Sequence, residues 1–249
     1  MDKSLFLALS GAVQTMNAQA VHANNLANVS TTGFKTDLEQ ARSMQVFGST
    51  FPSRVYAMIE EPSTDTSAGV LNTTGNPLDV AINGPGWLAV QAADGSEAYT
   101  RAGDFSLGTD GLLRNGGGFV ALAANGKPLV LPGNAINVAV GGDGTVSYQT
   151  PDSGLAGTSI ADSLKLVQLK NNDLHKGTDG LMRLPGGSKL PATDPTVRVV
   201  SGAVETSNVS AVGELSRIIE LSRQFEMQVK FMQDAQSNDQ YMARILQTA

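Results

Sequence analysis

The chain has 249 residues, which suffices for one large domain or two smaller ones with a buried core. Its net charge of −6, with no run of Lys or Arg, argues against nucleic acid or an anionic membrane surface as a partner. The sequence contains no Cys, which excludes thiol catalysis and thiolate-bound metals, and its 27 Gly residues indicate many turns and short strands.

The first predicted element is a long amphipathic helix from about Lys3 to Asn28. Small and apolar residues recur along it at alternating steps of four and three. These positions are Leu5, Leu9, Ala12, Met16, Gln19, Ala23 and Leu26. This heptad spacing is typical of a helix face that lies against a partner helix. Gly11 and the Ala residues beside it either form a narrow face for another backbone or simply favour a helix.

The segment 34–77 is predicted to be an extended arm, with a strand at Arg54–Ile59. From Leu78 onward the pattern changes to short alternating runs of apolar and polar residues. This pattern predicts a β-rich domain that, with its return connection, spans 78–209. Its first strands are predicted at Leu78–Ile82 and Trp87–Gln91, followed by hairpin turns at Asp-Gly pairs.

Further strands are predicted at Phe119–Leu122 and Val197–Val200, among others. One short repeat lies within this domain, because the residues Gly108–Arg114 are nearly matched by Gly177–Arg183. Each copy contains Thr-Asp-Gly-Leu, which favours a tight turn with Gly at a left-handed position. The repeat therefore predicts shared hairpin chemistry rather than a duplicated domain.

A second long helix is predicted over 210–249. Its heptad stripe consists of Val212, Leu215, Ile219, Ser222, Phe225, Val229 and Met232. Glu214 in the first turns suits the positive end of the helix dipole. The predicted fold class is α+β. The terminal helices, 1–33 and 210–249, pair as a coiled-coil-like assembly domain, and extended arms connect them to the central β-rich domain.

The sequence carries no motif of a known catalytic or metal-binding kind. The two histidines, His22 and His175, are too isolated for a metal site, and a P-loop and a GxSxG elbow are absent. The only carboxylates that suggest hydrolysis are Glu60, Glu61, Asp79 and Asp104, and turn or surface roles explain them more simply. We therefore predict no enzyme activity, no cofactor and no metal. No cleavable signal peptide and no apolar run of about 20 residues is visible.

Three separate segments of the chain resemble the signatures of bacterial flagellar rod and hook proteins. The N-terminal segment is Asn24–Lys35, the central segments are Leu78–Trp87 and Tyr99–Phe105, and the C-terminal segment is Gly202–Val209. Arg223–Glu226 and Lys230 also match the C-terminal signature. Within the family, several features favour a subunit of the proximal rod. They are the short length of the chain, Trp87, and the segments Met1-Asp2 and Asn17–Val21.

The resemblance implies a structural subunit that polymerises into a helical tube around the export channel and transmits torque. It implies export through the flagellar type III apparatus without a cleaved signal peptide, and residence in the basal body within the periplasmic space. The implied partners are other copies of the chain, neighbouring rod proteins including the distal rod protein, and the export apparatus. An isolated amphipathic helix is marginal in water, so we expect the termini to become ordered on polymerisation.

The predicted assembly interface comprises both helix stripes and the loop that follows the first helix. The loop residues are Asn24, Asn25, Leu26, Asn28, Gly33 and Phe34. We expect this loop and the arm Phe51–Asn76 to determine which neighbour is recognised. The Asn side chains either hydrogen-bond exposed backbone for that purpose or only terminate the helix.

Two other functions remain open at this level. The first is a distal rod or hook-type subunit of the same family. The second, from a different class, is a secreted polysaccharide-binding β domain with helical oligomerisation ends. A polysaccharide-binding groove needs aromatic side chains, and only 5% of the residues are aromatic.

Overall fold

The computed structural model describes residues 3–39, 41–45, 55–59, 63–151, 157–170 and 173–248. The chain divides into two compact units. The helical unit comprises Met1–Val29, Thr36–Asp65 and Val209–Ala249, and the β unit comprises Ser30–Lys35 and Thr66–Asn208. Long helices at both ends and strands between them confirm the predicted α+β class.

Both predicted terminal helices are present. Helix α1 spans Lys3–Ala27 and helix α2 spans Ala211–Thr248. Ser210 caps α2, because its carbonyl accepts the Glu214 N–H at 2.9 Å and its hydroxyl accepts the Gly213 N–H at 3.4 Å. At the end of α1, the Asn28 side chain donates a hydrogen bond of 2.9 Å to the Asn24 carbonyl. The same carbonyl also accepts the Asn28 backbone N–H at 3.2 Å, so Asn28 bonds to the last turn of the helix twice.

The helical unit also contains two short antiparallel ribbons. Strand β1 (Asp37–Leu38) pairs with β4 (Ser63–Thr64), and β2 (Ala41–Gln45) pairs with β3 (Val55–Ile59). Strand β3 confirms the strand predicted at Arg54–Ile59, although Arg54 itself lies outside the described residues. Residues 51–54 and 60–62 of the predicted arm also lie outside the described residues.

The β unit is built from short antiparallel strands. They are β5 Leu71–Thr73, β6 Val80–Asn83, β7 Trp87–Gln91, β8 Glu97–Thr100, β9 Ser106–Leu107, β10 Leu113–Arg114, β11 Val120–Ala121, β12 Ile136–Val140, β13 Thr145–Gln149, β14 Thr158–Ser163, β15 Leu166–Val167, β16 His175–Lys176, β17 Met182–Arg183, β18 Arg198–Ser201 and β19 Ala203–Glu205. The largest sheet has the order β16-β17-β8-β7-β11-β10-β9, with β15 also on β7. Smaller sheets are β12-β13-β14, β18-β6 and β19-β5.

The core of the β unit confirms the alternating pattern from Leu78 onward. Val80, Leu88, Leu113 and Leu166 are buried in one apolar cluster, and Trp87 lies in a second. The sequence analysis missed strands β12 and β13. The pairing of β12 with β13 is irregular between Ile136 and Ala139, and Asn137 has a φ of +51° there. This irregularity interrupts the alternation on which the prediction of strands depends.

The two copies of the short repeat form the same turn. The Gly108 N–H donates to the Leu112 carbonyl at 2.9 Å, and the Gly177 N–H donates to the Leu181 carbonyl at 2.8 Å. In each turn the Asp side chain also pairs with the Arg four residues later. The prediction of shared turn chemistry is confirmed.

We expect Leu113→Ala to destabilise the β unit by about 2–5 kcal/mol, because Leu113 is fully buried and truncation leaves a cavity. The matched control is Leu190→Ala, since Leu190 is exposed, and its effect should lie within about 0.5 kcal/mol. Urea unfolding followed by the fluorescence of Trp87, the only Trp, measures both. Equal losses for the two variants would contradict the assignment of the core.

Candidate assembly surface

Helices α1 and α2 contact each other, and three polar side-chain pairs join them along a line that we call the polar seam. Its side-chain pairs are His22 Nδ1 with Glu214 Oε2 at 2.5 Å, Gln19 Nε2 with Ser222 Oγ at 3.3 Å, and Thr15 Oγ1 with Gln228 Oε1 at 3.2 Å. From the first pair to the third, the residue numbers decrease along α1 and increase along α2, so the helices are antiparallel. A Cβ at Gly11 would lie 3.0 Å from Gln228 Nε2, so Gly11 lies on the side of α1 that faces α2.

The buried face of α1 is made of small and polar residues. Ala12, Thr15, Ala18 and Asn25 are each less than 9% exposed. Small side chains let neighbouring elements approach the helix closely. The heptad prediction placed three further residues on the same stripe as Ala12, and these are half-buried. They are Leu5, Gln19 and Leu26.

The other predicted stripe residues of α1 are exposed. Leu9 and Met16 form part of a row of four exposed apolar residues that we call the α1 stripe. Its members are Phe6, Leu9, Val13 and Met16, which are 54%, 47%, 50% and 56% exposed. Their spacing of three, four and three residues places them on one side of the helix. Ala23, also a predicted stripe residue, is exposed further along α1. The predicted heptad thus divides between two faces.

The predicted stripe on α2 divides in a similar way. Val212, Leu215 and Ile219, which we call the α2 stripe, are exposed. Phe225, Val229 and Met232 are half-buried. The first turns of α2 therefore present apolar side chains to solvent, as most of α1 does.

The Asn residues at the end of α1 differ in their surroundings. Asn24 is exposed, whereas the Asn25 side chain is buried and bonds to the backbone of Asp37. Asn25 Nδ2 donates to the Asp37 carbonyl at 2.9 Å, and Asn25 Oδ1 accepts the Asp37 N–H at 3.0 Å. Asn25 thereby fixes the start of β1 beside the helix end.

The predicted residues Gly33 and Phe34 are held within the β unit. The Gly33 N–H donates to the Glu205 carbonyl at 2.8 Å, and Lys176 Nζ lies 3.8 Å from the centre of the Phe34 ring. Gly33 has a φ of +66°, and a Cβ there would lie 2.2 Å from the Ala102 nitrogen. Only Gly fits this position, since both the backbone conformation and the close approach exclude a side chain.

A buried ion cluster centres on Glu205, whose side chain is fully buried. Its Oε1 accepts hydrogen bonds from Lys35 Nζ at 2.5 Å and from the Gly69 N–H at 2.9 Å, and its Oε2 lies 2.8 Å from Arg101 Nη1. Lys35 and Arg101 are themselves buried. We call these groups the Glu205 cluster.

The cluster keeps the Glu205 carboxylate ionised. Burial alone raises a carboxyl pKa, but the hydrogen bonds from Lys35 and Gly69 and the charge of Arg101 hold the pKa of Glu205 below its ordinary value. Both cations have further support. Lys35 donates to the Ser67 carbonyl at 2.7 Å, and the Arg101 guanidinium donates to the Gly84 carbonyl at 3.0 Å and lies 5.4 Å from the centre of the Trp87 ring.

Each signature segment supplies one charged member of the Glu205 cluster. Lys35 comes from the N-terminal segment, Arg101 from the central one and Glu205 from the C-terminal one. The sequence analysis missed this cluster, because Lys35 and Arg101 lie 170 and 104 residues from Glu205. The available signal was that Lys35 and Glu205 are the single charged residues of their segments and carry opposite charges.

Within the described part of the chain, no group of three or more His, Asp or Glu side chains is placed to hold a metal ion. In the same residues, no helix is both long and apolar enough to cross a membrane. His22 lies in the seam, where its Nδ1 contacts Glu214.

Comparison with known proteins matches three family models in chain order. They are the flagella basal body rod protein model at residues 6–35, the flagellar hook protein FlgE/F/G D1 domain at 81–148, and the flagellar basal body rod FlgEFG protein C-terminal model at 200–245. The chain is 39% identical to the flagellar basal-body rod protein FlgF of Escherichia coli K12, over 96% of each chain. It is 38% identical to FlgF of Salmonella typhimurium, also over 96% of each. FlgG of Buchnera aphidicola is 31% identical, over 99% of this chain and all of the relative.

The fold and these matches define a structural, non-enzymatic protein of the bacterial flagellum. The chain belongs to the flagellar basal-body rod protein family, and its sequence is FlgF-like. It is a structural subunit of the basal-body rod, in which proteins of this family assemble.

We expect Gly33→Ala to destabilise the β unit more than Gly75→Ala does. Both positions have a positive φ, which costs an Ala residue about 1–2 kcal/mol. Only Gly33 has backbone atoms within 3 Å of the added Cβ, whereas the space around Gly75 is open. Urea titrations measure the free energy of unfolding of each variant. Equal values for the two variants would contradict the close approach at Gly33.

We expect Glu205→Gln to lower the free energy of unfolding at pH 7 by about 3–5 kcal/mol, because it removes the negative charge that Glu205 places beside two buried cations. The pKa of Glu205 is lower in the folded state, so its contribution is present above the ordinary pKa of 4.5 and is lost as pH falls through the folded value. The difference between wild type and variant should therefore shrink below pH 4.5.

The matched control is Glu220→Gln, which breaks an exposed pair with Arg217. We expect a change of less than about 1 kcal/mol at every pH. A Glu205→Gln effect that stays constant from pH 7 to pH 3 would show that the lost charge is not the cause.

Proposed function

We propose that the chain is a subunit of the proximal rod, and that it polymerises into a helical tube that encloses the export channel and transmits torque. The similarity to FlgF chains along nearly their whole length supports this assignment within the family. In this role the β unit contains residues 78–208 of the predicted outer domain, 78–209. The terminal segments 1–33 and 210–249 form the assembly domain, although residues 30–33 belong to the β unit. The segment 34–77 is the proposed connecting arm, and its residues are divided between the two units.

The observation that carries this proposal is the exposed α1 stripe. Four bulky apolar side chains, each about half exposed, occupy one side of α1. Burying the remaining surface of each contributes on the order of 1 kcal/mol. A heptad-spaced row of this kind fits a partner helix, since knobs on one helix insert between side chains of the next.

The partner that we propose is a terminal helix of a neighbouring rod subunit. The α2 stripe offers apolar side chains with the same heptad spacing, so each subunit has the elements needed to contact further copies. The α1–α2 pair then acts as a coiled-coil-like module with additional apolar faces outside its polar seam. The neighbours are other copies of the chain, the other proximal rod proteins and the distal rod protein FlgG.

We also propose export through the flagellar type III apparatus without cleavage, followed by assembly in the periplasmic space. A chain without Cys forms no disulfides in that compartment. The apolar side chains of the α1 stripe and the α2 stripe stay exposed in the single subunit, so the helices are expected to be marginal before a neighbour covers the stripes. Ordering of the termini is then coupled to polymerisation.

The loop 24–34 and the arm 51–76 are proposed to determine which neighbour is recognised. Asn24 supports this role, because its side chain is exposed at the end of α1. Gly33 and Phe34 contribute indirectly, since their contacts within the β unit fix the backbone of residues 30–35.

We expect Leu9→Asp and Met16→Asp to abolish rod assembly while leaving the isolated subunit folded. Both side chains are exposed in the subunit, so the charge costs little before a neighbour buries it. The matched control is Asn17→Asp, which adds the same charge at another exposed position of α1. Assembly is scored by motility and by electron microscopy of isolated basal bodies, and circular dichroism checks the fold. Normal rods built from either stripe variant would disprove the proposed interface.

The choice between proximal and distal rod is tested by basal bodies from a strain that lacks this gene. A rod that stops before its distal part supports the proximal assignment. A complete proximal rod that lacks only the distal rod or hook would contradict it and favour the distal alternative.

A further inference from the structure

We propose that Glu205 is a positioning residue that holds residues 30–35, the end of the N-terminal signature, in one docked conformation. The conformation of this segment is thus set by a residue near the other end of the chain. Its use in assembly rests on the proposed function, whereas the docking itself does not.

The backbone around β19 shows the arrangement. On one side, the Thr206 N–H donates to the Val70 carbonyl at 2.8 Å, beside the pairing of β19 with β5. On the other, the Gly33 N–H donates to the Glu205 carbonyl at 2.8 Å, and the Asn208 N–H donates to the Phe34 carbonyl at 3.4 Å. The end of β19 therefore lies between two segments that come from distant parts of the sequence.

The docking of residues 30–35 depends on the charge of Glu205. Lys35 is 3% exposed, so its ammonium group is removed from water when the segment docks. Glu205 supplies a counter-charge at the Lys35 ammonium group, and the Ser67 carbonyl accepts a hydrogen bond from it. Removing one partner of a buried pair costs far more than a surface pair contributes, because the remaining charge stays desolvated. Without the Glu205 carboxylate, an undocked segment with a hydrated Lys35 is the lower-energy state.

The close contacts explain why docking occurs in a single conformation. A Cβ at Gly69 would lie 2.0 Å from the Thr206 carbonyl oxygen, and one at Gly33 would lie 2.2 Å from the Ala102 nitrogen. Both glycines let their backbones reach positions that bring Lys35 and the Gly69 N–H to the same carboxylate oxygen. A displacement of either segment breaks a bond to Glu205.

The test is amide hydrogen exchange on the full chain with Glu205→Gln. The bonds of Gly33 and Thr206 run between backbone groups, so the substitution leaves their donors and acceptors intact. We expect both amides to exchange at least about 100-fold faster than in wild type. The amides of Leu129 and Leu131 are bonded within the core of the β unit and exchange only on global unfolding. They should stay protected, so that Gly33 and Thr206 lose protection relative to them.

The matched control is Glu97→Gln, which breaks another buried pair of the β unit, with Lys165 at 2.7 Å. It should leave Gly33 and Thr206 unchanged. Protection of Gly33 that survives in Glu205→Gln, or that is lost equally in Glu97→Gln, overturns the positioning role. If Glu205→Gln does not fold, Lys35→Met replaces it. We then expect faster exchange at Gly33 alone, and unchanged exchange there overturns the proposal.

Complementation of a strain that lacks the gene tests the link to assembly. We expect Glu205→Gln to reduce motility and Glu97→Gln to restore it. Faster exchange at Gly33 combined with normal motility would contradict the use of this conformation in assembly. Failure of the wild-type gene to restore motility would instead contradict the proposed function and leave the exchange result standing.

Discussion

The buried carboxylate of Glu205 is the constraint on which the β unit depends most. It joins Lys35, Arg101 and the Gly69 backbone at a point where water has no access. A carboxylate in such a place is stable only when its counter-charges and hydrogen bonds are complete. This requirement fixes three parts of the chain together, and it explains why a structural protein without catalysis carries charged residues inside its signature segments.

The helical unit follows a different rule. Polar side-chain pairs join α1 and α2, while the bulky apolar residues of the α1 stripe and the α2 stripe stay exposed. Those residues remain on outer faces, where a monomer gains nothing from them. In a subunit of a polymer, the same residues are available to its neighbours. The division of apolar surface between folding and assembly is thus visible within a single helix.

Local patterns predicted most of the elements but not their contacts. Both helices, strands β6 and β7 and the repeated turn followed from spacing and turn chemistry. The heptad of α1 identified the helix and only part of the face that meets α2. Gln19 lies on the predicted stripe and bonds to Ser222. Thr15 and His22 also meet α2 but lie off the stripe, because polar residues carry no hydrophobic signal. The Glu205 cluster was beyond reach, since it depends on pairing between residues more than 100 positions apart.

The most direct test of the assembly account is a cryo-electron microscopy structure of the native rod at side-chain resolution. We predict that Leu9, Met16, Leu215 and Ile219, which are exposed in the isolated subunit, lie buried against helices of neighbouring subunits. A rod in which these side chains face solvent or the channel, while subunits meet through other surfaces, would contradict the account.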